Sequence, residues 1–116
     1  MINAAAKGFI KLGLRETHAV AIMAPNCPEW FTTSYASIFA GGIPCGIYQT
    51  SSPEIASYIC QNSSADILIL EDLDLLINVI DGLGKITDAF PNVKYVILIN
   101  SNEEDITQGN VLGATK

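Results

Sequence analysis

Charge is scarce in this sequence: Asp, Glu, Lys and Arg make up 16% of its 116 residues, with six basic residues against twelve acidic ones. The six are scattered, and a formal net charge of -6 lacks the clustered Lys and Arg that neutralise phosphates. Nucleic acid and anionic membrane are therefore excluded as main partners. The three cysteines, Cys27, Cys45 and Cys60, are odd in number and widely spaced. They form neither a C-x-x-C metal site nor a paired disulfide framework, and they point to a reducing compartment. No apolar run approaches the ~20 residues of a spanning helix. Lys7, Lys11 and Arg15 interrupt the stretch where a signal peptide would need its apolar core. A cytoplasmic chain with no transmembrane segment is the expectation, so the formal glycosylation match at Asn62-Ser63-Ser64 is read as chance. Also missing are G-x-x-x-x-G-K-[ST], G-x-G-x-x-G, a nucleophile elbow and any metal-ligand spacing.

What the sequence does hold is apolar. Hydrophobic residues make up 49%, too many for a disordered chain and, with so little charge, more than a free-standing soluble domain usually carries. A chain of this length suits one domain that buries something over ~60% of its unfolded surface. Its composition resembles a piece of a larger unit.

The apolar residues fall into alternating periods. Ala5, Phe9 and Leu12, with Ile10 beside them, predict a helix over Ala4–Leu14 that stops at Gly13. Ala19–Met23 is an unbroken apolar run of strand length, as in a strand covered on both faces. Phe31, Tyr35 and Ile38 recur at helical spacing, with small residues on the rest of that helix, before Gly41-Gly42 breaks it. Ile43–Tyr48 reads as a short strand weakened by Pro44 and Gly46. A helix carrying Ile55, Tyr58 and Ile59 ends at Gln61–Ser64, and Ile67–Leu70 is a buried strand. Leu73, Leu76, Ile77 and Ile80 form a helical stripe bounded by Gly82 and Gly84, followed by a helical turn over Ile86–Phe90. Val93–Ile99 is a final β-branched strand, and residues 101–116 form a polar acidic tail. The order predicts right-handed βαβ crossovers: an α/β fold with an open, mostly parallel sheet and flanking helices over residues 1–100.

Two helix starts repeat a pattern, Asn26-Cys27-Pro28-Glu29 and Ser51-Ser52-Pro53-Glu54. A small polar residue three positions before Glu, with Pro between, reads as a cap for the first helical turn. Since ligands of α/β sheets sit at the carboxyl ends of strands, Asn26, Thr50, Ser51 and Ser52 are also candidates for a phosphate. Glu29 and Glu54 would repel it, and capping explains the same residues without a ligand. His18 stands at the mouth of the first strand, and the sequence assigns it neither an orienting partner nor a nucleophile. Cys27 sits beside a helix start, where a thiolate is favoured, yet most cysteines are small buried apolar groups. Glu71, Asp72 and Asp74 read as a dipole-complementing first turn before they read as metal ligands. Trp30, Phe31, Tyr35 and Phe39 form the one aromatic cluster, expected in the core or along an apolar channel. No residue is assigned as catalytic, cofactor-binding or metal-binding.

The ordered blocks Ala5–Leu14, Val20–Met23, Asn26–Trp30, Phe39–Tyr48, Gln49–Glu54 and Val93–Ile99 resemble the N-terminal part of adenylate-forming acyl-CoA synthetases. The similarity is greatest to the bubblegum branch of long-chain fatty-acid–CoA ligases and covers about residues 4–100. The resemblance implies part of a large N-terminal α/β domain, in an enzyme that joins a fatty acid to AMP using ATP and Mg and passes the acyl group to coenzyme A. That family's phosphate loop, metal-binding acid and catalytic lysine belong to later segments, so the resemblance implies a catalytically incomplete fragment or truncated form. It further implies a cytoplasmic location, peripheral to the endoplasmic reticulum, and apolar faces left open to association, the small-residue side of the second helix among them. The competing reading is a stand-alone flavodoxin-like binding or interaction module without enzyme activity. A truncated regulatory form is a third.

Overall fold

The computed structural model describes residues 2–24, 27–49, 51–81 and 90–100. The expected turn over Ile86–Phe90 lies outside them except for Phe90, as do Asn26, Thr50, Gly82, Gly84 and the tail. Along the chain run α1 (Ile2–Lys11), β1 (Ala19–Met23), α2 (Pro28–Phe39), β2 (Ile43–Gly46), α3 (Pro53–Asn62), β3 (Ala65–Asp72), α4 (Leu73–Val79) and β4 (Tyr95–Asn100). The strands form one sheet in the order β2-β1-β3-β4, and every pairing is parallel. The expected open parallel α/β sheet is what the chain forms.

The unbroken apolar runs occupy the two central strands. All of β1 and residues 65–70 of β3 are buried, because side chains of period two feed a core on each face. Val20, Ile22, Ile67 and Ile69 pack with Ala6 and Phe9 of α1 and Ala36 of α2. Ala21, Met23, Leu68 and Leu70 pack on the opposite face with Ala56 and Cys60 of α3 and Leu76 and Val79 of α4. The connections thus wind outward in opposite senses from β1 and β3, the switch point of a doubly wound fold.

Several local expectations are corrected. The third strand begins at Ala65 and runs to Asp72, because its ladder continues into polar ends, where Asp72 pairs with Asn100. Both helix caps stand one residue later than the polar-before-Glu spacing suggested. The cap positions are Cys27 and Ser52, each directly before a proline at the first helical position. Proline holds the preceding residue extended, as a cap requires. Ser52 Oγ accepts from the Ile55 N–H at 3.3 Å, whereas Cys27 makes no side-chain cap bond.

The larger correction concerns which helical faces are inside. On α2 the buried residues are Thr33, Ala36 and Ser37, while Phe31, Tyr35, Ile38 and Phe39 are exposed. On α3 the buried residues are Ala56 and Cys60, while Ile55 and Tyr58 are exposed. Small side chains let these helices lie close to the sheet, and Ser37 stays satisfied by donating to the Thr33 carbonyl at 2.7 Å. The small-residue side of α2 is therefore covered, and the aromatic cluster is not core; of its members only Trp30 is partly packed. Helix α2 then ends in a Schellman motif, with Gly41 N–H on Ile38 O and Gly42 N–H on Ser37 O, and Gly41 in the left-handed region at φ 87°.

Candidate functional site at the two strand edges

Because all strands are parallel, their carboxyl ends share one edge, where ligands of such folds bind. There Gln49, just after β2, donates from Nε2 to Oε2 of Glu71 at 2.8 Å. As β1 lies between β2 and β3, this bond spans the carboxyl end of β1, across the switch point. Ser51 donates its N–H to the Tyr48 carbonyl at 3.0 Å, and Ser52 caps α3. Asp72 accepts at Oδ1 from the Leu75 N–H at 3.0 Å and so caps α4.

Among the described residues, Gln49, Glu71, Ser52 and Asp72 are thus engaged in bridging and capping. An arriving phosphate would meet the carboxylates of Glu54 and Glu71, and Glu29 in the first turn of α2. That donor set does not fit a nucleotide phosphate. Nor does it fit Mg: Glu71 and Asp72 already hold partners, and no group of three or more His, Cys, Asp or Glu among the described residues could hold a metal ion.

The opposite, amino-terminal edge holds a cluster centred on a residue that the sequence reading passed over. Asp66 is fully buried and sits at an irregularity in the β1–β3 ladder, where Ala19 pairs with Ala65 but Val20 pairs with Ile67. A bulge of this kind re-aims a side chain. Asp66 Oδ2 accepts from the Arg15 backbone N–H at 2.9 Å and from Nε at 3.3 Å, and Oδ1 accepts from Nη2 at 2.7 Å. His18 Nδ1 lies 3.4 Å from Oδ1 of Asp66 and 3.1 Å from the Ser64 carbonyl.

Burial pushes the Asp66 carboxyl up. The hydrogen bonds from the Arg15 side chain and backbone, with the charges of His18 and Arg15, outweigh that and hold it below the usual carboxylate range. Hydrogen bonding to Asp66 raises Arg15 in turn. The turn that brings Arg15 and His18 round contains Thr17 at φ 66°, a strained conformation for a β-branched residue. Lys94 closes the far side, donating from its N–H to Asp66 O at 2.7 Å and from Nζ to Gly13 O at 2.9 Å.

The hydrogen-bond partner of the His18 ring is thus the Ser64 carbonyl, with the Asp66 carboxylate within ion-pair distance. Asp66 is shared with the Arg15 fork, and the cluster stands at the edge away from the switch point. Its chemistry is that of a staple tying the α1–β1 connection to β3 and β4. The sequence signal for it is slight: Asp66 is the one charged residue within the buried run 65–70. Among the thiols, Cys27 and Cys45 are half-buried. Cys60 is buried, and burial with the nearby Cys45 pushes it up to about 12, the state of an inert core thiol.

An open parallel sheet wound in both directions, with capped helices at its carboxyl edge, defines an α/β domain of the kind found at the N-terminus of acyl-CoA ligases. The FACL13 N-terminal domain from Mycobacterium tuberculosis has the same fold, with a TM-score of 0.72 at 20% identity over 99% of this chain and 27% of that one. The Mycobacterium tuberculosis fatty acyl CoA synthetase matches with a TM-score of 0.73 at 20% identity, over 93% of this chain and 20% of that one.

The model of the AMP-binding enzyme family matches residues 1–112, and the chain belongs to that family. It is 43% identical over 94 residues to the Homo sapiens long-chain-fatty-acid–CoA ligase ACSBG1, covering 81% of this chain and 12% of that protein. It is 50% identical over 68 residues to ACSBG2 of Gallus gallus, covering 59% of this chain and 9% of that protein. The chain thus spans about an eighth of the first relative's length.

Proposed function

We propose that this chain is a scaffold segment of the large N-terminal domain of a long-chain fatty-acid–CoA ligase, and that it holds none of the residues that carry out the reaction. The observation that carries this reading is the combination of 43% identity to ACSBG1 with coverage of only 12% of that protein. In the whole enzyme the reaction would join a fatty acid to AMP from ATP and pass the acyl group to coenzyme A. Its described residues contribute four strands of sheet and the helices that cover them. Its carboxyl edge, held by Ser52, Asp72 and the Gln49–Glu71 bond, supports the reading because the groups there are committed to structure. A cytoplasmic location follows from the same reading; no helix among the described residues is long and apolar enough to cross a membrane.

The test is fatty-acid-dependent release of pyrophosphate from ATP by the purified 116-residue chain. No release above background is expected. Clear turnover would place catalytic groups within this segment and overturn the reading.

A further inference from the structure

We propose that residues 15–18, between α1 and β1, form a sprung latch pinned by Asp66, which acid releases as one local unit while the sheet stays folded. The latch is independent of the ligase assignment. Among the described residues, positive φ occurs at Gly13 (97°), Thr17 (66°), Gly41 (87°) and Ser64 (56°), and all four meet at this connection. Gly13 and Thr17 lie beside it and within it. The Gly41 carbonyl accepts the Thr17 N–H at 2.9 Å, and the Ser64 carbonyl accepts the Ala19 N–H at 3.2 Å. The His18 ring meets the same Ser64 oxygen at 3.1 Å; a carbonyl can only accept, so Nδ1 carries the proton. Thr17 and Ser64 are the two of the four that have side chains, and the left-handed region is unfavourable for both. One directly precedes His18 and the other supplies its acceptor, so strain sits at both ends of a single contact. Strain of this kind persists only where surrounding contacts hold it in place.

The contact that holds it is the Asp66 carboxylate. Three N–H groups of Arg15, the first residue of the unit, converge on it, and His18 Nδ1 stands 3.4 Å from Oδ1. From the β4 side Lys94 donates its N–H to the Asp66 carbonyl and its Nζ to that of Gly13. The turn's own carboxylate, Glu16, is exposed beside Gly41. Arg15, His18 and Lys94 thus surround Asp66 with donors. A proton added to the carboxyl would meet donors, and the charge-assisted bonds that hold Arg15 would weaken together. Because the carboxyl is held below the ordinary range, closure is strongest above that range and is lost as pH falls through it. Leu14 and Ala19, both buried, bound the unit, so α1 and β1 stay seated when it opens.

The experiment is amide hydrogen exchange of the 116-residue chain, resolved by residue and corrected for intrinsic rates, from neutral pH into the carboxylate range. The reporters are the amides of Arg15, Thr17 and His18, which donate to Asp66, Gly41 and Arg15. On acidification their protection is expected to fall together by about tenfold or more, the size of one lost charge-assisted hydrogen bond. The amides of β1 and β3 should keep theirs at the same pH. Asp66→Asn removes the charge, so the three reporters should already be poorly protected at neutral pH and change no further in acid. Thr17→Gly tests the strain. Glycine loosens an ordinary connection, whereas here it relieves a left-handed residue and should raise protection at Arg15 and His18 by about threefold.

Protection lost from the turn and the strands at one and the same pH would overturn the proposal, since no separate unit would exist. So would reporters that hold their protection in acid, reporters unprotected at neutral pH, or a chain whose sheet is itself unprotected. An acid-dependent fall that survives in Asp66→Asn would assign the release to another group and remove the pin. A Thr17→Gly chain less protected than the wild type would show that no strain is stored. Should Asp66→Asn fail to fold, the wild-type pH series and Thr17→Gly decide the matter without it.

Discussion

Nη2 of Arg15 lies 2.7 Å from Oδ1 of Asp66, 51 residues later in the chain, and this pair fastens the turn after α1 to the bulged start of β3. Asp66 is buried while the Arg15 side chain is 56% exposed, so the two partners are unequal. Removing the carboxylate leaves the Arg15 backbone N–H without its acceptor and empties a buried position. Asp66→Ala is expected to cost roughly 2–3 kcal/mol in urea unfolding. Arg15→Met should destabilise the wild type and have little further effect in the Asp66→Ala background. Additive losses would show that the two side chains are not coupled.

The same carboxylate gives stability a pH dependence. Its folded pKa lies below the ordinary value, so as pH falls the unfolded chain takes up the proton first. The contribution is full above the ordinary carboxylate range and is lost as pH falls through it toward the depressed folded value. Urea midpoints measured from neutral into acid pH should fall more steeply for the wild type than for Asp66→Asn. Parallel curves would remove Asp66 from the account.

The two helix starts should respond with opposite signs. Ser52 caps α3, and Ser52→Ala is expected to cost about 1 kcal/mol. Cys27 occupies the cap position of α2 in extended conformation but makes no side-chain bond. Cys27→Ser should therefore add about 0.5–1 kcal/mol, as an N-cap gain. Thermal unfolding of the two variants checks both signs.

Glycine has an equally local meaning. A Cβ on Gly42 would stand 2.9 Å from the His18 carbonyl oxygen and 2.9 Å from Leu14 Cδ2. That carbonyl is fixed by the Ile43 N–H at 3.0 Å. Gly42→Ala is expected to cost about 1–3 kcal/mol through overpacking. Gly8, inside α1 with open space around it, should tolerate Ala with a gain of up to ~1 kcal/mol from helix propensity. Equal effects at the two positions would contradict the contact geometry.

The order of strands and helices was legible because runs such as Ala19–Met23 and Ile67–Leu70 are too short and too apolar to be anything but covered strands. The side of a helix that faces inward was not. Period alone shows that Phe31, Tyr35 and Ile38 share a face, but Ala36 and Ser37 define an equally coherent face, and closeness to the sheet selected the smaller one. The cap register slipped by one residue because proline, and not glutamate, fixes where the first turn begins. Asp66 stayed hidden because its partners, Arg15 and His18, are far away in sequence, and a lone Asp at the mouth of a strand resembles a loop residue. Of the candidate phosphate residues, Ser52 is a cap and Ser51 makes a backbone turn bond, while Asn26 and Thr50 lie outside the described residues.

The central claim is that this chain is an interchangeable scaffold segment of a long-chain fatty-acid–CoA ligase. Its most direct test is fatty-acid-dependent pyrophosphate release by human ACSBG1 whose matched 94 residues are replaced by those of this chain. Retained activity is the expected result. A soluble, folded chimera with no activity would mean that the exchanged segment contains residues the reaction requires, and would contradict the account.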